Sequence, residues 1–145
     1  AKNIIDTYFA KYKRVRQYMD ELKKKAKEQE FIETMYGRKV FLPNINHSNF
    51  QVRSGSERTA INAPIQGTAA DILKLAMIKI KNWLDCEKIS DVYMIMQVHD
   101  ELVFEIKESD LQSLGIKICD LMIGAENLNV PLIVNTFNGN NWREG

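Results

Sequence analysis

Residues 94–106 read Met-Ile-Met-Gln-Val-His-Asp-Glu-Leu-Val-Phe-Glu-Ile, two apolar, β-prone runs separated by a short polar step. Side chains alternate across a strand, so Val92, Met94, Met96 and Val98 share one face while Tyr93, Ile95 and Gln97 share the other. Such a pattern suits a hairpin laid on a core, with the adjacent acids Asp100 and Glu101 at its turn. Neighbouring carboxylates repel each other unless a cation or hydrogen-bond donors neutralise them, which is why such pairs recur where hard metal ions bind. A solvated polar turn is the other reading of the same two residues.

The remaining 132 residues must then cover that hairpin, and 145 residues in all are enough for one domain with a real core. With 45% apolar and 27% charged residues the composition is that of a folded globular chain and excludes a disordered one. The sequence shows neither a membrane-length apolar run nor a secretory signal pattern, so a cytoplasmic protein without membrane association is expected. Cys86 and Cys119 form no Cys-x-x-Cys pair and are expected as reduced, half-buried thiols. The chain opens on Ala1 within a helical pattern, which suggests a piece of a longer protein.

Charge is unevenly spread. Residues 1–82 carry 16 Lys and Arg against 8 Asp and Glu, and residues 83–145 carry 4 against 11, so balances of +8 and −7 hide behind a net +1. One half could attract phosphate and the other could hold metal, although basic runs on helices also serve as solvated faces.

Residues 3–29 place Ile4, Tyr8, Tyr12, Val15, Met19, Leu22 and Ala26 at steps of three and four, the stripe of one long helix with lysines and arginines over the rest of its surface. Phe31–Met35 and Val40–Leu42 read as a hairpin around Tyr36-Gly37-Arg38-Lys39, ended by Pro43. Residues 43–55 read as an exposed connection in which His47, with no second ligand at metal spacing, is a surface residue. Ser54 or Ser56 can cap the next helix, which Pro64 should kink or divide before Gly67. Small residues from Gly67 onward permit close packing. Ser109 is a candidate cap for a helix with Leu111, Leu114, Ile118, Leu121 and Met122 on one face, residues 130–137 read as a last strand, and residues 138–145 as a polar loop. The order predicts an α+β domain with an antiparallel sheet covered by helices.

Three stretches together carry a resemblance: Thr34-Met35-Tyr36-Gly37-Arg38-Lys39 followed by Leu42-Pro43, then residues 57–71, Glu-Arg-Thr-Ala-Ile-Asn-Ala-Pro-Ile-Gln-Gly-Thr-Ala-Ala-Asp, then Gln97-Val98-His99-Asp100-Glu101-Leu102-Val103. In this order and spacing, with Gly139-Asn140-Asn141-Trp142 at the close, the whole chain resembles the C-terminal part of family A DNA polymerases of the bacterial DNA polymerase I type. The resemblance implies a right-hand polymerase fold. Residues 1–30 then match the end of the fingers, a long amphipathic helix, and residues 31–145 the C-terminal part of the palm.

Asp100 matches a catalytic palm aspartate that holds Mg²⁺, and Glu101 a supporting acid. His99 matches a residue near the primer end, though it could equally hold the turn by hydrogen bonding. Arg58, Asn62 and Gln66, four residues apart on one helical face, match the helix that faces the minor groove of the primer-template duplex. Purine N3 and pyrimidine O2 occupy similar places there in every Watson–Crick pair, so donors on that face test pair geometry without choosing a sequence. Local hydrogen bonds around Pro64 are the alternative task for these three side chains.

The implied partners are primer-template DNA, deoxynucleoside triphosphates and the rest of a polymerase chain, in the bacterial nucleoid. The family's other palm aspartate, in an Asp-x-Ser-x-Ile-Glu-x-Arg segment, and its nucleotide-binding helix are absent from these residues, and Asp71 does not resemble a substitute. The segment alone is therefore expected to be inactive, and an apolar sheet edge left open should invite self-association. A non-catalytic module that binds duplex nucleic acid is the competing expectation.

Overall fold

The computed structural model describes residues 2–141, so Trp142 and the rest of the expected terminal loop lie outside the described residues. In order the elements are helix α1 (Lys2–Lys11), helix α2 (Lys13–Gln29), strands β1 (Phe31–Glu33) and β2 (Lys39–Phe41), helix α3 (Phe50–Cys86), strands β3 (Val92–Val98) and β4 (Glu101–Ile106), a 3₁₀ turn (Glu108–Asp110) and helix α4 (Leu111–Ile123). The class is α+β as expected, with both described sheets antiparallel two-stranded hairpins. Two compact units divide within α3, between Thr68 and Ala69.

In the first unit β1 pairs with β2 in the register Phe31 with Phe41, Ile32 with Val40 and Glu33 with Lys39. Ile32 points into a core with Ala26 of α2, Leu42, Ile45 and Ala60 of α3, with Leu22, Val40 and Ala63 packed around it. The expected single helix over residues 3–29 is interrupted at Tyr12, whose φ of −110° and ψ of 61° leave the helical region. Ile4, Tyr8, Tyr12 and Val15 are all exposed, so no tertiary packing enforces continuity there.

The start of α3 also differs from expectation. The loop after Pro43 is shorter, and the cap is Asn49: its Oδ1 accepts from the Gln51 backbone N–H at 2.9 Å, whereas Ser54 and Ser56 lie inside the helix. His47 does sit in this exposed loop, where its Nδ1 accepts from the Asn49 N–H at 3.0 Å and so shapes the approach to the cap. Pro64 does not divide the helix. A proline in a helix interior costs ~3 kcal/mol, and here burial of Ala60 and of Pro64 itself offsets it.

In the second unit β3 and β4 turn an apolar face onto Ile80 and Leu84 of α3 and Ile118 of α4, with Trp83, Met94, Leu102, Phe104 and Leu114 packed against them. The exposure of β3 alternates as its sequence predicts, Val92, Met94, Met96 and Val98 inward and Tyr93, Ile95 and Gln97 outward, despite an irregularity in pairing between Met94 and Met96. Helix α3 ends where Lys88, at φ 55°, turns the chain and the Ile89 N–H donates back to the Leu84 carbonyl at 2.9 Å. The expected cap Ser109 instead lies within the 3₁₀ turn, which the Asp110 N–H closes on the Lys107 carbonyl at 2.9 Å.

Two further expectations fail. Residues 130–137 form no strand: Val130, Ile133 and Phe137 are exposed, and neither described sheet offers the run the partner that ladder hydrogen bonds require. Both cysteines are free thiols, but Cys86 is exposed rather than half-buried because it is the last residue of α3. Burial raises the Cys119 thiol above the ordinary cysteine range, with the Asp120 charge adding to the effect. Among the described residues no helix is long and apolar enough to cross a membrane.

Candidate functional site

The second hairpin places the acid pair. Val98 pairs with Glu101, which leaves His99 and Asp100 as a two-residue turn. Such tight turns match the twist of the strands when the first central residue has positive φ, a position that glycine normally fills. Here it is His99, at φ 53°. A non-glycine residue in that region carries conformational strain unless its surroundings hold it.

The tie that holds it comes from a residue to which the sequence assigns a face and a motif but no role in the turn. The Gln97 side-chain Nε2 donates to the His99 carbonyl at 2.7 Å, across the root of the turn. Gln97 faces outward on β3, and its period-2 position was the available signal. The His99 imidazole makes no side-chain hydrogen bond to the described residues, so the ring is not what closes the turn.

Asp100 is therefore exposed at the tip, and Glu101 is exposed as the first residue of β4. Their carboxylates supply hard oxygen donors of the kind Mg²⁺ takes, but only two side chains' worth of its coordination shell. Among the described residues no group of three or more His, Cys, Asp or Glu side chains is gathered as a metal site, so Asp71 does not join the pair. Away from the tip, the Lys107 ammonium donates to the Asp91 carboxylate, lowering the Asp91 pKa and raising that of Lys107.

The polar helix face belongs to the first unit. Arg58, Asn62 and Gln66 are all exposed on α3, spaced by about one helical turn, roughly 6 Å along the axis per step of four. None of the three makes a side-chain hydrogen bond or ion pair with another described residue, so their donors are not consumed around Pro64. The neighbouring acid, Glu57, is engaged elsewhere: Lys27 Nζ lies 2.7 Å from its Oε1. The Lys27 hydrogen bond is the largest cause of a lowered Glu57 pKa; partial burial opposes it, and the charges of Lys27, Lys23 and Arg53 reinforce it.

A second feature went unread in the sequence. The β1–β2 turn reaches α3 just beyond Gln66, where the Met35 N–H donates to Thr68 Oγ1 at 2.9 Å and Arg38 Nη2 donates to the Gly67 carbonyl at 3.0 Å. These partners are 33 and 29 positions apart in the chain, beyond any local signal except the run of small residues from Gly67.

Comparison with known proteins gives a consistent answer. The sequence profile of DNA polymerase family A matches residues 1–144. The chain is similar to DNA polymerase I of Pseudomonas aeruginosa, 49% identical over 144 residues, and to DNA polymerase I of Streptococcus pneumoniae, 44% identical over 147 residues; each match covers 99% of this chain and 16% of the relative. The chain thus spans about one sixth of the length of these curated relatives. Among solved structures it is similar to the POL domain of Pol1 from M. smegmatis in complex with DNA primer-template and dNTP, with a TM-score of 0.85 and 38% identity over 91% of this chain and 23% of that one.

Proposed function

The chain belongs to DNA polymerase family A, and from that premise we propose that it supplies the end of the fingers (residues 1–30) and the C-terminal palm (residues 31–145) of a DNA-directed DNA polymerase. The observation that carries this reading is the tip of the second hairpin, where a two-residue turn held by Gln97 presents Asp100 and Glu101 to solvent. In the whole polymerase, Asp100 would hold Mg²⁺ with Glu101 in support. Bound there, the ion would lower the pKa of the primer 3′-hydroxyl and offset charge on the nucleotide's phosphates.

The remaining roles fall to this chain's own side chains. Arg58, Asn62 and Gln66 present unconsumed donors along one helix face, the requirement for reading minor-groove acceptors common to all base pairs. His99 lies beside Asp100 in the turn and serves the primer end. The substrates are deoxynucleoside triphosphates and primer-template DNA, in the bacterial nucleoid. These 145 residues lack the family's other palm aspartate, so the segment by itself is inactive, and the open edges of its two-stranded sheets favour self-association.

Replacing Asp100 by Ala in the whole polymerase tests the assignment. Metal-borne charge stabilisation is worth several kcal/mol, so nucleotide incorporation should fall by about 10³-fold or more. Affinity for duplex DNA should stay within about twofold, because an exposed acid makes no favourable phosphate contact. Undiminished incorporation would remove Asp100 from the chemistry and leave a duplex-binding module as the better account.

A further inference from the structure

The three residues of the polar helix face do not share one environment. Arg58 and Asn62 precede Pro64, and Gln66 follows it. Proline has no N–H to give to the carbonyl four residues back, so the ladder loses a rung at the point where the helix carries Gln66 onward. Immediately after Gln66, the helix is gripped from outside.

The grip comes from the turn Thr34–Arg38, which is itself rigid. The Gly37 N–H donates to the Thr34 carbonyl and the Thr34 N–H to the Arg38 carbonyl, each at 3.0 Å. Thr34 Oγ1 also accepts from the backbone N–H groups of Tyr36 and Arg38, each at 3.3 Å. Thr34 is 5% exposed, the buried polar residue among those described. Its methyl presses on α3 so closely that a Cβ on Gly67 would lie 2.6 Å from Thr34 Cγ2. Only glycine fits there. The Met35 N–H bond to Thr68 Oγ1 and the Arg38 bond to the Gly67 carbonyl complete a three-point contact on two consecutive helix residues.

We propose that the Thr34–Arg38 turn is a positioning clamp: by seating on Gly67 and Thr68 it fixes the direction in which Gln66 is offered to the primer-template minor groove. Thr34, Arg38 and Thr68 are positioning residues that act through the helix, and the inference rests on the minor-groove reading of Gln66 given above. The clamp lies on the Gln66 side of Pro64, so it acts on Gln66 and leaves Arg58 alone.

The test measures, in the whole polymerase, extension from matched and from 3′-mismatched primer ends. Thr68→Val keeps the side-chain shape and removes the acceptor; losing one hydrogen bond should change the matched-to-mismatched ratio about fivefold, in the same direction as Gln66→Ala. Thr68→Ser, which keeps the hydroxyl, should restore it. In a Gln66→Ala background Thr68→Val should change the ratio no further, whereas in an Arg58→Ala background it should act in full. Gly67→Ala should mimic Thr68→Val, and adding Thr34→Ser, which removes the obstructing methyl and keeps the buried oxygen, should reverse it.

A Thr68→Val enzyme with an unchanged ratio, where Gln66→Ala does change it, would overturn the clamp. So would full multiplication of the Thr68 and Gln66 effects, the mark of a contact that only docks the hairpin. If Gln66→Ala alone leaves the ratio unchanged, the minor-groove reading itself fails and the clamp's role falls with it.

Discussion

The two hairpins solve the same problem in opposite ways. The β1–β2 hairpin puts glycine at its positive-φ position, Gly37 at 77°, and sinks Thr34 beside it against α3. The β3–β4 hairpin puts His99 at 53° and leaves Asp100 and Glu101 in solvent, with one side-chain bond from Gln97 across the turn. A turn chosen for stability relaxes its backbone and buries its polar atoms. A turn that keeps a histidine at positive φ beside exposed acids forgoes both, which fits the role at a site proposed for it above.

Core substitutions should test this contrast most strongly. Ile32 of the first hairpin is 1% exposed at the centre of its core, whereas Ile95 of the second faces solvent at 57%. Ile32→Ala should cost ~2–5 kcal/mol in urea unfolding, and Ile95→Ala should stay within about 0.5 kcal/mol. Equal losses would mean that Ile95 packs against something and that the second hairpin is as deeply anchored as the first.

The turns themselves give the next effect, with opposite signs. A Cβ on Gly37 would meet nothing within 4 Å, so the cost of Gly37→Ala is purely conformational; left-handed backbone penalises an L-residue by ~1–2 kcal/mol. His99→Gly relaxes the same kind of strain and should leave stability unchanged or raise it by up to about 1 kcal/mol. Thermal unfolding of both variants decides the matter. A His99→Gly protein destabilised as much as Gly37→Ala would show that the histidine is there for the fold.

The same contrast explains what the sequence made legible. Both hairpins were readable because period-2 alternation and turn residues are local signals, and Ile32, Val92 and Met94 face inward as their positions predict. Asp100 at the turn was readable because a polar step between apolar runs has few other places to go, whereas Glu101, expected beside it in the turn, is the first residue of β4 and pairs with Val98. Other features were not. The Asn49 cap was hidden among several competent residues, and only the fold of the His47 loop chooses between them. Residues 130–137 carry strand propensity, but a strand is a pairing and the partner must be supplied from elsewhere in space. The seating of Thr34 on Gly67 joins residues about thirty positions apart, which propensity does not encode.

The smallest expected effect lies between α2 and α3 of the first unit and is read by pH. Lys27 of α2 holds Glu57 of α3 below the ordinary carboxylate range, with the pair only partly shielded at 43% and 23% side-chain exposure. Because the folded carboxyl titrates below its unfolded value of about 4.3, the pair's contribution is fully present above that pH and is lost as acid carries the protein through the folded pKa. Solvent screening keeps that contribution below about 1 kcal/mol. Glu57→Gln should therefore lower stability slightly at pH 7 and flatten its decline between pH 5 and 3, read by urea unfolding across that range. The exposed Asp91–Lys107 pair of the second hairpin gives the control, since both groups are solvated and Asp91→Asn should change the pH profile less than Glu57→Gln does. A larger change at Asp91 would place the acid-sensitive contact at the ends of the second hairpin and not between α2 and α3.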